Sequence, residues 1–391
     1  MQKEEAASHR INQSCMTNTL RTEIYRLIRN GNGQTAGAIE SLTERSRVTV
    51  SRRLAELLER DLIRHSDRAP SSGGRPSRIY RINPDWRNVI GIDVGERKSR
   101  VTLFDLECRM LDERMLETDL TRPADETIAQ LVLACRALVE SPLRTGPVVS
   151  VGLALPAPID YGKGMVASPS ILFGWEKIAI RERLEKQLGL SVALDNDVNL
   201  MCLAEHRLYW PDCQDLIFVK VGTGIGCGMI MHGELLRGAV GISGDIGHIQ
   251  HTPEPYQLCR CGKTGCVEAH AAGWALARSL SADGHDCIDA RDVMALYRAG
   301  HPECRKLVNE SSRALGTVCA DLVAILNPAM LIIGGVLSEA GEAMLAGIRE
   351  RIYQRCLPLA TKRLDIKSAR GGDRLGVTGA AILAIGHITL P

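Results

Sequence analysis

The sequence predicts an α/β protein of two modules: a small winged helix-turn-helix over residues 1–85, and a larger α/β unit over residues 86–391 built from two related halves. Three observations predict it. Helical patterns crowd residues 19–60 and give way to two short strands around a Gly-rich loop. A strand, a Gly-rich turn and a strand then occur twice, at residues 89–106 and 216–231. Apolar strands alternate with helical stretches between and beyond them.

Composition bounds the function classes. With 45% hydrophobic and 24% charged residues, the chain has the makings of two or three soluble domains. Aromatic residues are only 4%, which argues against a stacking platform for single-stranded nucleic acid. No apolar run approaches the ~20 residues of a membrane span and the first residues, MQKEEAASHR, are polar, so a cytoplasmic protein is expected. The 13 cysteines are odd in number and mostly isolated in apolar segments, as Cys135, Cys202 and Cys319 are, which fits a reducing compartment. Charge is unequal along the chain. Residues 1–85 hold 15 Arg and Lys against 10 Asp and Glu, a balance of +5, so the net charge of +2 leaves −3 on the remainder.

In the first module, Leu20, Ile24, Leu27 and Ile28 share a helical face and Gly31 stops the pattern. Ala38, Ile39 and Leu42 mark a second short helix. Val50, Leu54, Leu57 and Leu58 mark a third, with Ser46 placed to cap it and Arg47, Thr49, Arg52 and Arg53 on the opposite or leading face. Three such helices, with a tight connection between the last two, describe a helix-turn-helix. Leu62–His65 and Arg78–Ile82 read as strands, and the loop between them carries Gly73-Gly74-Arg75-Pro76. Glycines let a backbone lie against a groove floor, and an arginine suits a narrow minor groove. Gly74 and Arg75 therefore join the candidate contacts to double-stranded DNA. A flexible loop on a protein-binding module is the alternative.

Asn83-Pro84-Asp85 marks the boundary, since proline biases its predecessor away from helix. Val89–Val94 and Arg100–Leu106 then form a strand, a turn and a strand, and Val148–Leu155 is a further strand ending at Pro156-Ala157-Pro158. Ser191–Leu194 leads into a helix at Asn199–Leu208, and the intervening Asn196-Asp197 is a place where an Asp can cap. The second hairpin runs along Leu216–Val221, turns on Gly222-Thr223-Gly224-Ile225-Gly226 and returns through Cys227–Met231. Such a turn aims backbone N–H groups at an anion, making Gly222, Thr223 and Gly224 candidate phosphate contacts; it also serves simply to bend strands tightly. Ile332–Gly335 supplies another strand end with paired glycines.

The stretch from Gly241 to Glu268 contains Asp245, His248, Cys259, Cys261, Cys266 and Glu268. One imidazole and three closely spaced thiolates make a tetrahedral set of the kind zinc takes. With all four positions supplied by protein, the ion would be structural, a brace for the loop over residues 245–268. Three reactive or merely buried thiols are the alternative.

Two runs of residues carry a family resemblance. SRVTVSRRLAELLERDLI, followed by GGRPSRIYRINP, resembles the DNA-binding half of regulators in the ROK family (repressors, open reading frames and kinases). VGTGIGCGMIMHGELLRGAVGISGDIGH, with the C-x-C-x4-C-x-E that follows, resembles the family's sugar-binding, kinase-like domain, and the likeness extends over residues 88–391. The resemblance implies an actin-like or hexokinase-like fold, with a sugar between two lobes and nucleotide deeper in the cleft. It implies that Asn196, Asp197, Asp245, His248 and Glu268 bind sugar hydroxyls, and that Asp197 is the catalytic base where a kinase is active. Asp93 and the Gly222–Gly224 turn would then belong to the phosphate side, and His248 with the three cysteines to the zinc loop.

Three departures matter. Glu44-Arg45 stands where the regulators carry a Gly-apolar pair, and Asp245 where the family usually has Glu. Glu96 and Arg97 stand where active kinases tend to have Gly and Thr. A carboxylate ~4 Å from a phosphate charge, at an effective dielectric near 20, costs on the order of 4 kcal/mol per charge pair. The expectation is thus a sugar-responsive regulator, a repressor that binds operator DNA as a homodimer or higher homo-oligomer with a sugar derivative as effector. The alternative is a sugar kinase using ATP and magnesium with an appended DNA-binding module. A ligand-controlled protein adaptor is the third reading.

Overall fold

Residues 19–31, 33–68, 77–167, 172, 174–250 and 256–390 are described by the computed structural model. Helices α1 (19–29), α2 (Ala36–Thr43) and α3 (Arg47–Glu59) bury Ile24, Ile28, Ile39, Val50, Leu54 and Leu57 among themselves, the apolar positions of the helical patterns. Thr35 and Ser46 cap the second and third helices, their hydroxyls accepting from Ala38 N and Thr49 N. Helix α2 ends at Glu44 with φ 53° and ψ 31°, the left-handed conformation that a glycine takes without steric cost. Strands β1 (Ile63–Arg68) and β2 (Arg78–Ile82) pair antiparallel with Ile63 opposite Ile82. The loop with Gly74 and Arg75 lies outside the described residues.

The rest of the chain forms two sheets of one topology. The first contains β3 (Asn88–Val94), β4 (Lys98–Phe104), β5 (Met110–Glu117) and β6 (Val148–Leu155); after the small hairpin of β7 (Ile159–Asp160) and β8 (Met165–Val166), it is completed by β9 (Ser191–Asn196). The second contains β10 (Leu216–Val221), β11 (Ile225–Met231), β12 (Glu234–Leu235), β13 (Met330–Gly334) and β14 (Asp365–Ser368). Their orders are β5-β4-β3-β6-β9 and β12-β11-β10-β13-β14. In each, three antiparallel strands are extended by two parallel ones. The repeated strand-turn-strand in the sequence is the first hairpin of each sheet, so the chain is an α/β fold of two related lobes.

Helices α4 (Ala124–Val139) and α5 (Ile180–Leu188) cover the outer face of the first sheet around Ile92, Leu153 and Trp175. Between the lobes run α6 (Asp197–Tyr209) and, from the end of the chain, the carboxy-terminal helix (Leu375–Gly386). The second sheet is covered by α7 (Val267–Ala271), α8 (Gly273–Ala282), α9 (Ala290–Arg298), α10 (Pro302–Leu326), α11 (Glu342–Arg355) and α12 (Pro358–Thr361); the carboxy-terminal helix is α13. Two glycines let α13 sit close to its neighbours. A Cβ at Gly152 would fall 1.8 Å from the Ala380 carbonyl, and one at Gly379 would fall 1.9 Å from that of Leu200. Among the described residues no helix is long and apolar enough to cross a membrane.

The two modules share a core. Ile24, Tyr25 and Ile28 of α1 are buried in one cluster with Val89, Phe104, Ala381, Ile385 and Leu390. Polar contacts fix the seam: Arg29 Nη1 donates to Ile385 O (3.1 Å), and Arg207 Nη2 donates to Arg29 O (3.1 Å) and Asn30 Oδ1 (3.0 Å).

Candidate ligand cleft and metal cluster

A cleft of about 1150 Å³ opens between the lobes, and every cleft residue singled out in the sequence lines it: Asp93, Asn196, Asp197, Gly222, Thr223, Gly224, Asp245, His248 and Glu268. Asn196 ends β9 and is itself the cap of α6. Its Oδ1 accepts from Val198 N (2.9 Å) and Asn199 N (3.2 Å), while its Nδ2 donates to Ala157 O (3.1 Å). Capping therefore falls to Asn196, and α6 starts at residue 197 instead of the expected 199. This leaves one oxygen of Asp197 for the cleft. Its Oδ1 accepts from Val198 N, and its Oδ2 accepts a hydrogen bond from Lys220 Nζ.

Sequence reasoning missed Lys220, although a lone lysine in the apolar strand LIFVKV, just before a Gly-rich turn, was a signal. Burial alone would lower its pKa, but Asp197, Asp93 and Glu96 raise it overall. Asp93, the last residue but one of β3, lies beside the first turn of α13, where a Cβ at Gly376 would stand 2.3 Å from its Oδ2. Burial, then the neighbouring Asp197, push the Asp93 carboxyl up to about 6, against the pull of Lys220 and Arg100.

At the first turn Glu96 is not left facing an anion. It pairs with Arg260 (3.2 Å), and Arg97 pairs with Asp289 (3.4 Å), so both reach from the β3–β4 turn to the other lobe. Arg260 also stacks over Trp274 and lies 3.7 Å from Glu268. Glu268 is buried and already engaged: Oε2 accepts from Ile225 N (3.0 Å) and Oε1 from Trp274 Nε1 (3.3 Å). It braces the second Gly-rich turn, where a Cβ at Gly224 would come within 2.8 Å of Oε2.

His248, Cys259, Cys261 and Cys266 bring their ligand atoms within 4.8 Å of one another. His248 Nδ1 is 3.5 Å from Cys259 Sγ, and the sulfurs of Cys261 and Cys266 are 3.7 Å apart. A tetrahedral ion with bonds of about 2.3 Å to sulfur and about 2.0 Å to nitrogen requires spacings of roughly 3.6 Å and 3.8 Å. The four residues thus fit a metal ion, and the sulfurs are too far apart for a disulfide. Two isolated bridges, Gln250 with Cys266 and Leu258 with Thr264, shape the described parts of this loop. The other nitrogen of His248, Nε2, lies 3.8 Å from Asp245 Oδ1 on the cleft side.

The family model described as "ROK family" matches residues 89–387. The chain belongs to the ROK family. Among its relatives, the xylose repressor of Caldicellulosiruptor bescii is 28% identical over 365 residues, covering 89% of this chain and 90% of the repressor. A solved ROK family transcriptional regulator, described as a homolog of the E. coli MLC protein, superposes with a TM-score of 0.79 at 22% identity over 94% of this chain and 95% of its own. The ROK glucokinase of Streptomyces griseus, solved with glucose and AMPPNP, gives 0.66 at 28% identity, covering 76% of this chain and 99% of the kinase.

The amino-terminal module precedes the matched ROK domain, and here the structure corrects one expectation. Arg47 is 85% exposed, Arg52 is exposed and Thr49 is half-buried. Arg53 is only 5% exposed and pairs with Glu56 one turn on, so it does not share the outward face. Counted from Val50, residues 53, 54 and 57 complete the i, i+3, i+4, i+7 stripe, and Arg53 fills the i+3 place. Val48 is 80% exposed at the leading end of α3 and joins Arg47 there.

Proposed function

We propose that this ROK protein is a sugar-responsive transcriptional regulator, a repressor of carbohydrate genes. A winged helix-turn-helix formed by α1–α3, β1 and β2 reads double-stranded operator DNA with Arg47, Thr49 and Arg52, aided by Gly74 and Arg75 of the wing. The cleft takes a sugar or sugar derivative, with Asn196, Asp197, Asp245, His248 and Glu268 around its hydroxyls and Asp93 and the Gly222–Gly224 turn deeper in. Zinc on His248, Cys259, Cys261 and Cys266 braces the wall that carries Asp245 and Glu268. Ligand alters the spacing of two recognition helices in a homodimer relative to half-sites about one DNA turn apart.

One observation carries this reading. The likeness to the xylose repressor spans nine-tenths of both chains and so includes the amino-terminal module, whereas the likeness to the glucokinase stops at the ROK domain. Purified protein should prefer the duplex upstream of its own coding region to random DNA, and a sugar should change that preference. Equal binding to both duplexes, with and without a panel of sugars, would sink the reading.

The glucokinase likeness also favours a second reading, an ATP- and magnesium-dependent sugar kinase with Asp197 as base. The Lys220–Asp197 and Glu96–Arg260 pairs weigh against it. ATP-coupled turnover over hexoses and amino sugars, abolished by Asp197→Asn, would reverse that judgement.

A further inference from the structure

Lys220 sits one residue from the end of β10, opposite Gly226 on one neighbouring strand and Gly334 on the other. Its side chain passes the Gly222 backbone, where a Cβ would stand 3.4 Å from Lys220 Cε, and ends on Asp197 Oδ2. Its ammonium also stands in the field of Asp93 and Glu96. Magnesium binds near-octahedrally through one or two carboxylates and keeps several waters. Here the Asp197 carboxylate is already paired with the positive charge of Lys220, and that charge is tethered to a strand. A divalent ion at the same place would be repelled twice as strongly as a monovalent one. Across the cleft, Glu96–Arg260 and Arg97–Asp289 join the lobes by direct ion pairs.

We propose that Lys220 is a built-in cation that takes the place of a magnesium-type ion beside Asp197 and Asp93, so that the cleft holds its ligand without magnesium or nucleotide. The two cross-cleft pairs then supply the link between lobes that a bound phosphate chain would supply. The inference rests on reading the cleft as a receptor site, and it makes Lys220 the residue that separates receptor from kinase.

The test uses the full-length, zinc-loaded protein and Mn2+ alone as probe, read by electron paramagnetic resonance of the free ion. Lys220→Met keeps the length and removes the charge. It should bind Mn2+ at least about tenfold more tightly than the wild type, a difference of ~1.4 kcal/mol. Adding Asp197→Asn to Lys220→Met should remove the gain. Equal Mn2+ affinity in wild type and Lys220→Met would overturn the proposal, as would a gain that survives Asp197→Asn. If Lys220→Met does not fold, Lys220→Gln makes the same comparison. Mn2+ binding to the wild type that Asp197→Asn abolishes refutes the proposal without either variant. Operator binding is measured separately, so failure of the regulatory reading and failure of this one give different results.

Discussion

Lys220 of β10 donates a hydrogen bond to Asp197 at the start of α6, closing an ion pair on the floor of the cleft. Asp93 faces the same pair and carries the cost of the crowding. Its carboxyl is pushed from an ordinary 3.8 up to about 6, by burial first and then by Asp197. A carboxyl with a raised folded-state pKa favours the fold while protonated. Its contribution is full below the unfolded value and is lost as pH rises through about 6.

Asp93→Asn should therefore stabilise the protein at pH 8 by up to about 3 kcal/mol, the equivalent of the full shift. The advantage should shrink toward pH 5. Urea unfolding of both proteins at the two pH values checks it, and an advantage independent of pH would contradict the assignment.

The cysteine cluster makes a stoichiometric prediction. Protein purified without chelator should contain about one zinc per chain, and Cys261→Ser or Cys266→Ser should lower that content sharply. Metal loss should also weaken ligand binding, because His248 lines the cleft with the ring whose Nδ1 faces the thiols. Metal analysis and thermal shift with sugars measure the two effects.

On α3, Arg47→Ala and Arg52→Ala should weaken DNA binding and reduce the slope of log affinity against log salt by about 1 for each lost phosphate contact. Arg53→Ala should instead lower the melting temperature, since its side chain is packed inside the module beside Glu56. A titration series in salt, paired with melting curves, separates the two classes.

Glu44 holds a left-handed conformation that costs a side chain roughly 1 kcal/mol or more. Glu44→Gly should relieve it and stabilise the amino-terminal module by about 0.5–1 kcal/mol, offset in part by the greater freedom of glycine in the unfolded chain. Hydrogen exchange of the amides in α2 and α3 reads this locally.

How much of this the sequence discloses depends on the distance between partners. The helical stripe of α3, the two hairpins and the His-Cys cluster are legible because their spacing is local. The three helices α1–α3 follow from the same short-range patterns. Arg53 is the exception: its charge suggests an outward face, whereas its position in the stripe buries it. Asp197 and Lys220 are 23 residues apart, and Glu96 and Arg260 are 164 apart, so each pair exists only because two lobes face each other. The capping role of Asn196 was hidden by the more conspicuous Asp197 beside it. For Glu268 the family resemblance implies contacts to sugar hydroxyls, and the sequence does not disclose that the Ile225 amide and Trp274 engage both its oxygens in the fold.

Helices α6 and α13 pass from the cleft to α1. The first begins with Asp197 and carries, near its far end, Arg207, which grips Arg29 and Asn30; the second begins against Asp93 and carries, in its last turn, Ile385, whose carbonyl holds the Arg29 guanidinium. At 1.5 Å per residue each is a rod of roughly 18–20 Å. Both rods are anchored to the same arginine. On the proposed regulatory reading, a ligand that tilted one rod relative to the other would act at Arg29, whose guanidinium is held from one rod and whose carbonyl is held from the other, and would turn α1.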